Sequence, residues 1–108
     1  MLTPGEVVVT NFVYSDLSGA KVRPALVVSK PEFVVATGLV VVAAISGQPV
    51  KNAFEYRLSD WEEAGLNLPS KVCVGKLFTV NSGLVKKIGK LNENDFAEVK
   101  KLLACTLV

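Results

Sequence analysis

The chain of 108 residues contains no histidine. That absence removes every His-dependent catalytic triad, every histidine metal ligand, and the side chain whose unperturbed pKa lies nearest neutrality. Any catalysis must therefore use Asp, Glu, Lys, Arg, Tyr, Ser, Thr or Cys. Cysteine is scarce too: Cys73 and Cys105 stand far apart and form no Cys-x-x-Cys pattern, so no zinc site is indicated. Two isolated buried thiols in a reducing compartment are the simplest account of them. The longest apolar stretch, Phe33 to Ile45, is broken by Thr37 and Gly38. It falls short of the roughly 18–20 residues that a membrane helix requires. The N-terminus lacks the basic, then apolar, then small-residue order of a secretory signal. A soluble, cytoplasmic protein without a membrane partner is expected. Glycine-rich phosphate loops of the GxGxxG and Walker kinds, and the GxSxG elbow, are also missing. The ten acids are scattered and offer no paired carboxylates to hold a metal, so no cofactor is expected.

What remains is a chain half hydrophobic, with a net charge of +2 and a size suited to one domain over residues 1–108. Strand formers dominate the first two-thirds, where most of the nineteen valines fall. Val7 to Tyr14 reads as a strand ended by the turn formers Ser15 to Gly19. Arg23 to Ser29 reads as a second, stopped by Lys30-Pro31. Leu39 to Ile45 is a continuous apolar run, as expected of a strand buried on both faces. Ala53 to Leu58 alternates Phe54 and Tyr56 with charged residues, which suits a half-wet strand. Ser59 to Glu62 has the form of a capping box before one short helical turn ended by Gly65. Lys71 to Val80 and Leu84 to Leu91 complete the strands, around Asn81-Ser82-Gly83. The period then changes: Phe96, Val99, Leu102 and Leu103 recur at helical spacing behind the cap Asn92, predicting an amphipathic C-terminal helix of about three turns. Strands with an appended helix point to a small, strongly curved sheet or a partly open barrel.

Charge is unevenly placed. Lys71 to Lys90 holds five lysines and no acid. Such a stretch is either a solvated face or a stripe for a phosphate backbone. Arg23 opens an otherwise apolar strand after a loop carrying Asp16, Ser18 and Lys21. It is either a surface ion-pair partner or a planar cation for a phosphate or developing oxyanion. Ser46 is the first polar residue after the buried strand and precedes Gly47. It is either a turn serine or a hydroxyl presented to a ligand.

Taken in order, these segments resemble the PemK/MazF family of toxins from toxin–antitoxin systems. The resemblance rests on Pro4-Gly5-Glu6-Val7-Val8, Asp16 to Lys21, Arg23-Pro24 with Ala25 to Ser29, and Ala43-Ala44-Ile45-Ser46. It continues through Ala64-Gly65-Leu66 with Ser70, Lys76-Leu77-Phe78-Thr79-Val80, and Lys87-Ile88-Gly89-Lys90-Leu91. It implies a mainly β fold with appended helices, an SH3-like small barrel of the PemK/MazF/CcdB kind carrying a C-terminal α-helix. It further implies a homodimer, a neutralising antitoxin partner, and cleavage of single-stranded RNA without a metal. In such a reaction the ribose 2′-hydroxyl attacks the adjacent phosphorus, so the protein orients the backbone, removes a proton and stabilises charge. Arg23 matches the functional arginine of the Arg-Pro strand. Ser46 matches a hydroxyl position usually occupied by threonine. Lys21, Gln48 and Lys76 would line the RNA path, with Asp16 also among the RNA-binding residues; the proton acceptor is unassigned, Asp16 being a candidate for it from its turn location.

One departure stands out. Some family members carry an arginine and an aspartate, two residues apart, on the strand leading into the Lys-Leu-Phe-Thr segment. Here those positions hold Cys73 and Gly75. The alternative to an active enzyme is accordingly a catalytically impaired member of the same fold. It would act as a binding module for antitoxin, for nucleic acid or for a gyrase-like protein target. The apolar end, Leu102-Leu103-Ala104 with Leu107-Val108, fits either a dimer contact or the helix's own seam.

Overall fold

The structure is a computed structural model, and it describes residues 2–13 and 20–108. Six strands and two helices follow one another as β1 (Glu6–Val13), β2 (Ala20–Val27), α1 (Pro31–Thr37), β3 (Leu39–Ser46), β4 (Glu55–Arg57), β5 (Lys71–Asn81), β6 (Lys86–Lys90) and α2 (Glu93–Thr106), with a 3₁₀ turn at Ser82–Leu84. The strands form one antiparallel sheet in the order β4-β5-β3-β2-β1-β6. Among the described residues no ladder joins β4 to β6, so the expected barrel is an open one.

β3 lies between β2 and β5, and this explains its unbroken apolar run. Successive side chains point to opposite faces, and both faces are dry. Ala43 and Ile45 join a core with Val7, Leu26, Val72 and Val74, whereas Val40 and Val42 join a second with Val8, Ala25 and Val27. α2 covers the first core with Val99, fully buried, and with Phe96, Leu102 and Leu103 packed around it. Burying a side chain such as Val99 contributes about 1.5–3 kcal/mol. Leu102 and Leu103 therefore serve the helix seam, while Leu107 and Val108 remain exposed.

Four expectations are corrected. The segment after Lys30 is not a plain stop, for Pro31 opens α1. Pro31 stands in the helix's first turn with Glu32, and Gly38 ends the helix at φ 74°, its N–H donating to the Val34 carbonyl at 2.7 Å. The apolar run beyond it hid this short helix. The capping box also fails. The Ser59 hydroxyl donates to Asp95 at 2.8 Å instead of capping at Glu62, and Asp60 accepts the Glu63 N–H at 3.3 Å. Residues 61–65 are turns, not helix. The strand expected over Ala53 to Leu58 is only Glu55–Arg57, and the last strand is Lys86–Lys90, because Ser82–Leu84 take the 3₁₀ turn.

The N-terminus of α2 is tied to the rest by Asp95. Asn92 caps the helix by accepting the Asp95 N–H at 2.7 Å. The Asp95 carboxylate, fully buried, then accepts from Tyr56 Oη at 2.7 Å, from the N–H and hydroxyl of Ser59, and from the Asp60 N–H.

Candidate functional site

The registers of two strand pairs place Ser46 in one row with Lys71 and Arg57. Ala25 on β2 faces Ala44 on β3 as the last pair of that ladder, and Arg23 and Ser46 each stand two residues beyond it on their strands. On its other side Ser46 faces Lys71 of β5, which faces Arg57 of β4. Neighbouring strands are about 4.8 Å apart, so Ser46, Lys71 and Arg57 cross three strands on one face. Arg23 is exposed and Ser46 half-buried. The Ser46 Oγ accepts the backbone N–H of Gln48 at 3.1 Å. This bond uses an oxygen lone pair and not the hydroxyl hydrogen, which stays suited to donate to a ligand oxygen.

Lys71 holds the turn that follows Ser46. Its ammonium donates to the Pro49 carbonyl at 2.8 Å and to Glu55 Oε1 at 2.7 Å. Glu55 Oε1 also accepts the Lys51 N–H at 2.7 Å. The Lys71 ammonium and then the Lys51 amide hold the Glu55 carboxyl below its ordinary pKa, against the opposing effect of burial. One buried cation thus ties residues 49–51 to β4, and with them the end of the Ser46–Gln48 turn.

Two cavities flank the row. The first, of about 290 Å³, has an apolar floor of Val9, Ile45, Leu66 and Ile88, with Arg23 and Asn67 among its polar lining. The second, of about 320 Å³, has Phe54, Glu55, Cys73 and Lys76 in its lining. Cys73 faces Glu55 across β5 and β4, with Sγ 3.8 Å from Oε2. Burial, reinforced by the Glu55 charge, pushes the Cys73 thiol above its ordinary pKa, so it is no ready nucleophile or proton donor.

Of the sequence candidates, Arg23, Ser46 and Gln48 are brought together. Lys76 lies in the second cavity, apart from them. Asp16 and the side chain of Lys21 lie outside the described residues. The acid-free lysine stretch does not make one uniform stripe: Lys71 is buried, and Lys87 pairs with Glu6 of β1 at 2.8 Å. The Lys71–Glu55 pair escaped sequence reasoning because its partners lie sixteen positions apart on strands joined by a long loop. The only hint was the placing of both residues at alternating positions of strand-like segments.

Residues 3–107 match the family model described as the PemK-like, MazF-like toxin of type II toxin–antitoxin systems. The chain belongs to that family. It is a type II toxin by family, and endoribonuclease activity is the family's function. Solved structures share its fold. A MazE–MazF complex from Deinococcus radiodurans is 22% identical, with a TM-score of 0.77 over 96% of this chain and 94% of that one. An endoribonuclease in complex with its cognate antitoxin from Mycobacterial species is 17% identical, with a TM-score of 0.77 over 98% and 94%. The Mycobacterium tuberculosis toxin MazF-mt6 is 20% identical, with a TM-score of 0.75 over 94% of each chain. Among curated proteins no sequence matches. No helix among the described residues is long and apolar enough to cross a membrane.

Proposed function

We propose that the chain is an active, metal-independent endoribonuclease that cuts single-stranded RNA in the cytoplasm. The observation that supports this reading is that Arg23 and Ser46 each stand two residues beyond the Ala25–Ala44 pair on adjacent strands. With the substrate's 2′-hydroxyl as nucleophile, the protein needs only to position the phosphate, spread its developing negative charge and move protons. Arg23 supplies a permanent planar cation for the non-bridging oxygens. Ser46 donates its hydroxyl hydrogen to the scissile group. Gln48 and Lys76 contact the flanking strand, and Lys21 and Asp16 are further RNA-binding residues in this reading. Purified protein should cut mixed-sequence RNA in EDTA, and Arg23→Ala should not. Intact RNA with both proteins refutes the reading.

A homodimer and an antitoxin partner belong to the same proposal. Val35, Leu39 and Leu84 stand exposed around α1 and the 3₁₀ turn, which Ser82 ties to the Gly38 carbonyl. They offer apolar area for a second copy, and light scattering at the purified protein's own concentration tests it. Two of the similar structures contain a toxin with its antitoxin. Co-expression with a cognate antitoxin should relieve any growth inhibition.

A second reading has its own support. Cys73 is a buried thiol with a raised pKa and Gly75 has no side chain, so neither performs acid–base work at those positions. A catalytically impaired member would instead bind RNA, antitoxin or a gyrase-like protein target. Growth arrest on induction without RNA fragments favours it.

A further inference from the structure

The turn that carries Ser46 is gripped at both ends by one residue. Ser46 on β3 is the ladder partner of Lys71 on β5. Further along the same turn, the Pro49 carbonyl accepts from the Lys71 ammonium at 2.8 Å. Residues 46–49 therefore close over a lysine side chain that is only 3% exposed. What lies between the two grips has little freedom left. Pro49 fixes its own φ and biases Gln48 towards extended backbone. Leu68 lies against Gly47, in the space that a Cβ would need. The Gln48 N–H is thereby aimed at Ser46 Oγ, which accepts it at 3.1 Å. Glu55 holds the lysine in turn, and its Oε1 also accepts the Lys51 N–H at 2.7 Å. An enclosed ion pair returns little net stability, so its effect on an exposed turn is to fix where Ser46 and Gln48 stand.

We propose that Lys71, held by Glu55, is a positioning residue for cleavage, setting the Ser46 hydroxyl at the angle from which it donates to the scissile group. The inference rests on the endoribonuclease reading above and adds to it a residue enclosed beneath the turn, out of reach of RNA. One lone pair of Ser46 Oγ is committed to the Gln48 N–H, so its hydrogen is confined to the directions that remain. Releasing Pro49 lets Gln48 swing away and leaves the hydroxyl free to rotate. The hydrogen that Ser46 offers is then displaced from the phosphate oxygen, and a misplacement of about 1 Å costs on the order of 10²-fold in rate.

The test measures single-turnover RNA cleavage, RNA binding and melting temperature of the full-length protein. Lys71→Met, Glu55→Gln and their double variant are compared, together with Ser46→Ala alone and combined with Lys71→Met. Assays run well below the lowest melting temperature, and circular dichroism checks each fold. Lys71→Met should cut about 10²-fold more slowly while binding RNA within about threefold of the parent. Glu55→Gln keeps an amide oxygen for Lys71 and for the Lys51 N–H, so its rate should fall less. The Lys71→Met/Glu55→Gln variant regains part of the stability but not the bond to Pro49, so its rate should stay as low as that of Lys71→Met. In the Ser46→Ala background, Lys71→Met should cost less than about threefold, since no hydroxyl is left to misplace. A rate that recovers with stability in the Lys71→Met/Glu55→Gln variant, or losses at Lys71 and Ser46 that multiply, overturns the inference and leaves the nuclease reading intact. A parent that leaves RNA uncut overturns both.

Discussion

Lys71 Nζ lies 2.7 Å from Glu55 Oε1, with the side chains only 3% and 9% exposed. A lysine that composition would assign to a solvated stripe is instead enclosed at the start of β5. Its second bond, to Pro49 O, makes it the link between β4 and the loop that leaves the candidate site. Taking two charges out of water costs much of what their attraction returns, so such a pair fixes geometry more than it adds stability. Removing one partner is different, because the other is left enclosed and uncompensated. Lys71→Met and Glu55→Gln should each lower the melting temperature, Lys71→Met more, since it strands a carboxylate. The double variant should recover part of the loss, and a thermal double-mutant cycle measures the coupling. Additive losses would show that the two residues act separately.

The junction between Tyr56 and Asp95 sets the pH window of stability. Burial pushes the Asp95 carboxyl up, but the bonds from Tyr56, Ser59 and Asp60 outweigh it and leave the group below its ordinary value of 3.8. Stability from this group is therefore complete above about pH 4 and falls as pH drops through its lowered folded pKa. Burial, and then the bond to Asp95, raises the Tyr56 phenol from 10.0 to about 12. That contribution is complete below pH 10 and is lost as pH rises towards 12. Melting curves from pH 3 to 11.5 should show a plateau with both limbs, and Tyr56→Phe should flatten the alkaline one. Asp95→Asn should cost about 2–3 kcal/mol at neutral pH, the scale of hydrogen bonds to a buried charge.

How much of this was legible in the sequence depends on the range of the contacts. β3 announced itself because a strand with two dry faces needs an apolar residue at nearly every position, and α2 because Phe96, Val99 and Leu103 repeat at helical spacing. Arg23 and Ser46 could be singled out from their places at strand ends. That β2 and β3 are neighbours could not, since strand order is decided by packing. The same holds for Ser59. Its local pattern promised a cap for Glu62, but the buried carboxylate of Asp95, thirty-six positions on, took the hydroxyl instead. α1 was hidden for another reason: seven residues carry too little periodicity to stand out beside the apolar strand that follows.

The two thiols should separate cleanly by reactivity. Cys105 is exposed near the end of α2, while Cys73 is buried with a raised pKa. Reaction requires the thiolate and access to it, and Cys73 has little of either. Limiting N-ethylmaleimide at pH 7.5 should modify Cys105 first, with Cys73 labelled only after unfolding, as read by peptide mass spectrometry. Equal labelling of the native protein would contradict the packing around Glu55.

Gly65 and Gly89 lock β6 against the turn that precedes β5. A Cβ on Gly65 would meet the backbone carbonyl of Ile88, and one on Gly89 would meet that of Ala64. Backbone on both sides leaves no flexible side chain to give way. Gly65 also has φ 85°, which costs an L-residue about 1–2 kcal/mol by itself. Gly65→Ala should destabilise by more than about 2 kcal/mol. Gly89→Ala should also destabilise, through the clash alone, whereas Gly75→Ala, with open space around it, should change stability by less than about 0.5 kcal/mol. Chemical denaturation of the three variants checks the ranking.

The roles proposed for Arg23 and Ser46 make the sharpest functional demand. If Ser46 donates to the scissile group, only the hydroxyl matters to its role, and β-branching there is compatible with a strand end. Ser46→Thr should then keep cleavage within a few-fold of the parent. Ser46→Ala should lose about 10²–10³-fold in kcat, the scale for removing one donor to a developing oxyanion. Arg23→Lys keeps the charge but not the planar fork, so it should fall between the parent and Arg23→Ala. Because Ser46 Oγ also closes the turn onto the Gln48 N–H, Ser46→Ala needs a control that separates chemistry from folding. Single-turnover cleavage alongside RNA binding provides it. A binding constant within about threefold of the parent with a lost chemical rate assigns the hydroxyl to the reaction. Weakened binding with an unchanged rate assigns it to the turn alone and removes Ser46 from the chemistry.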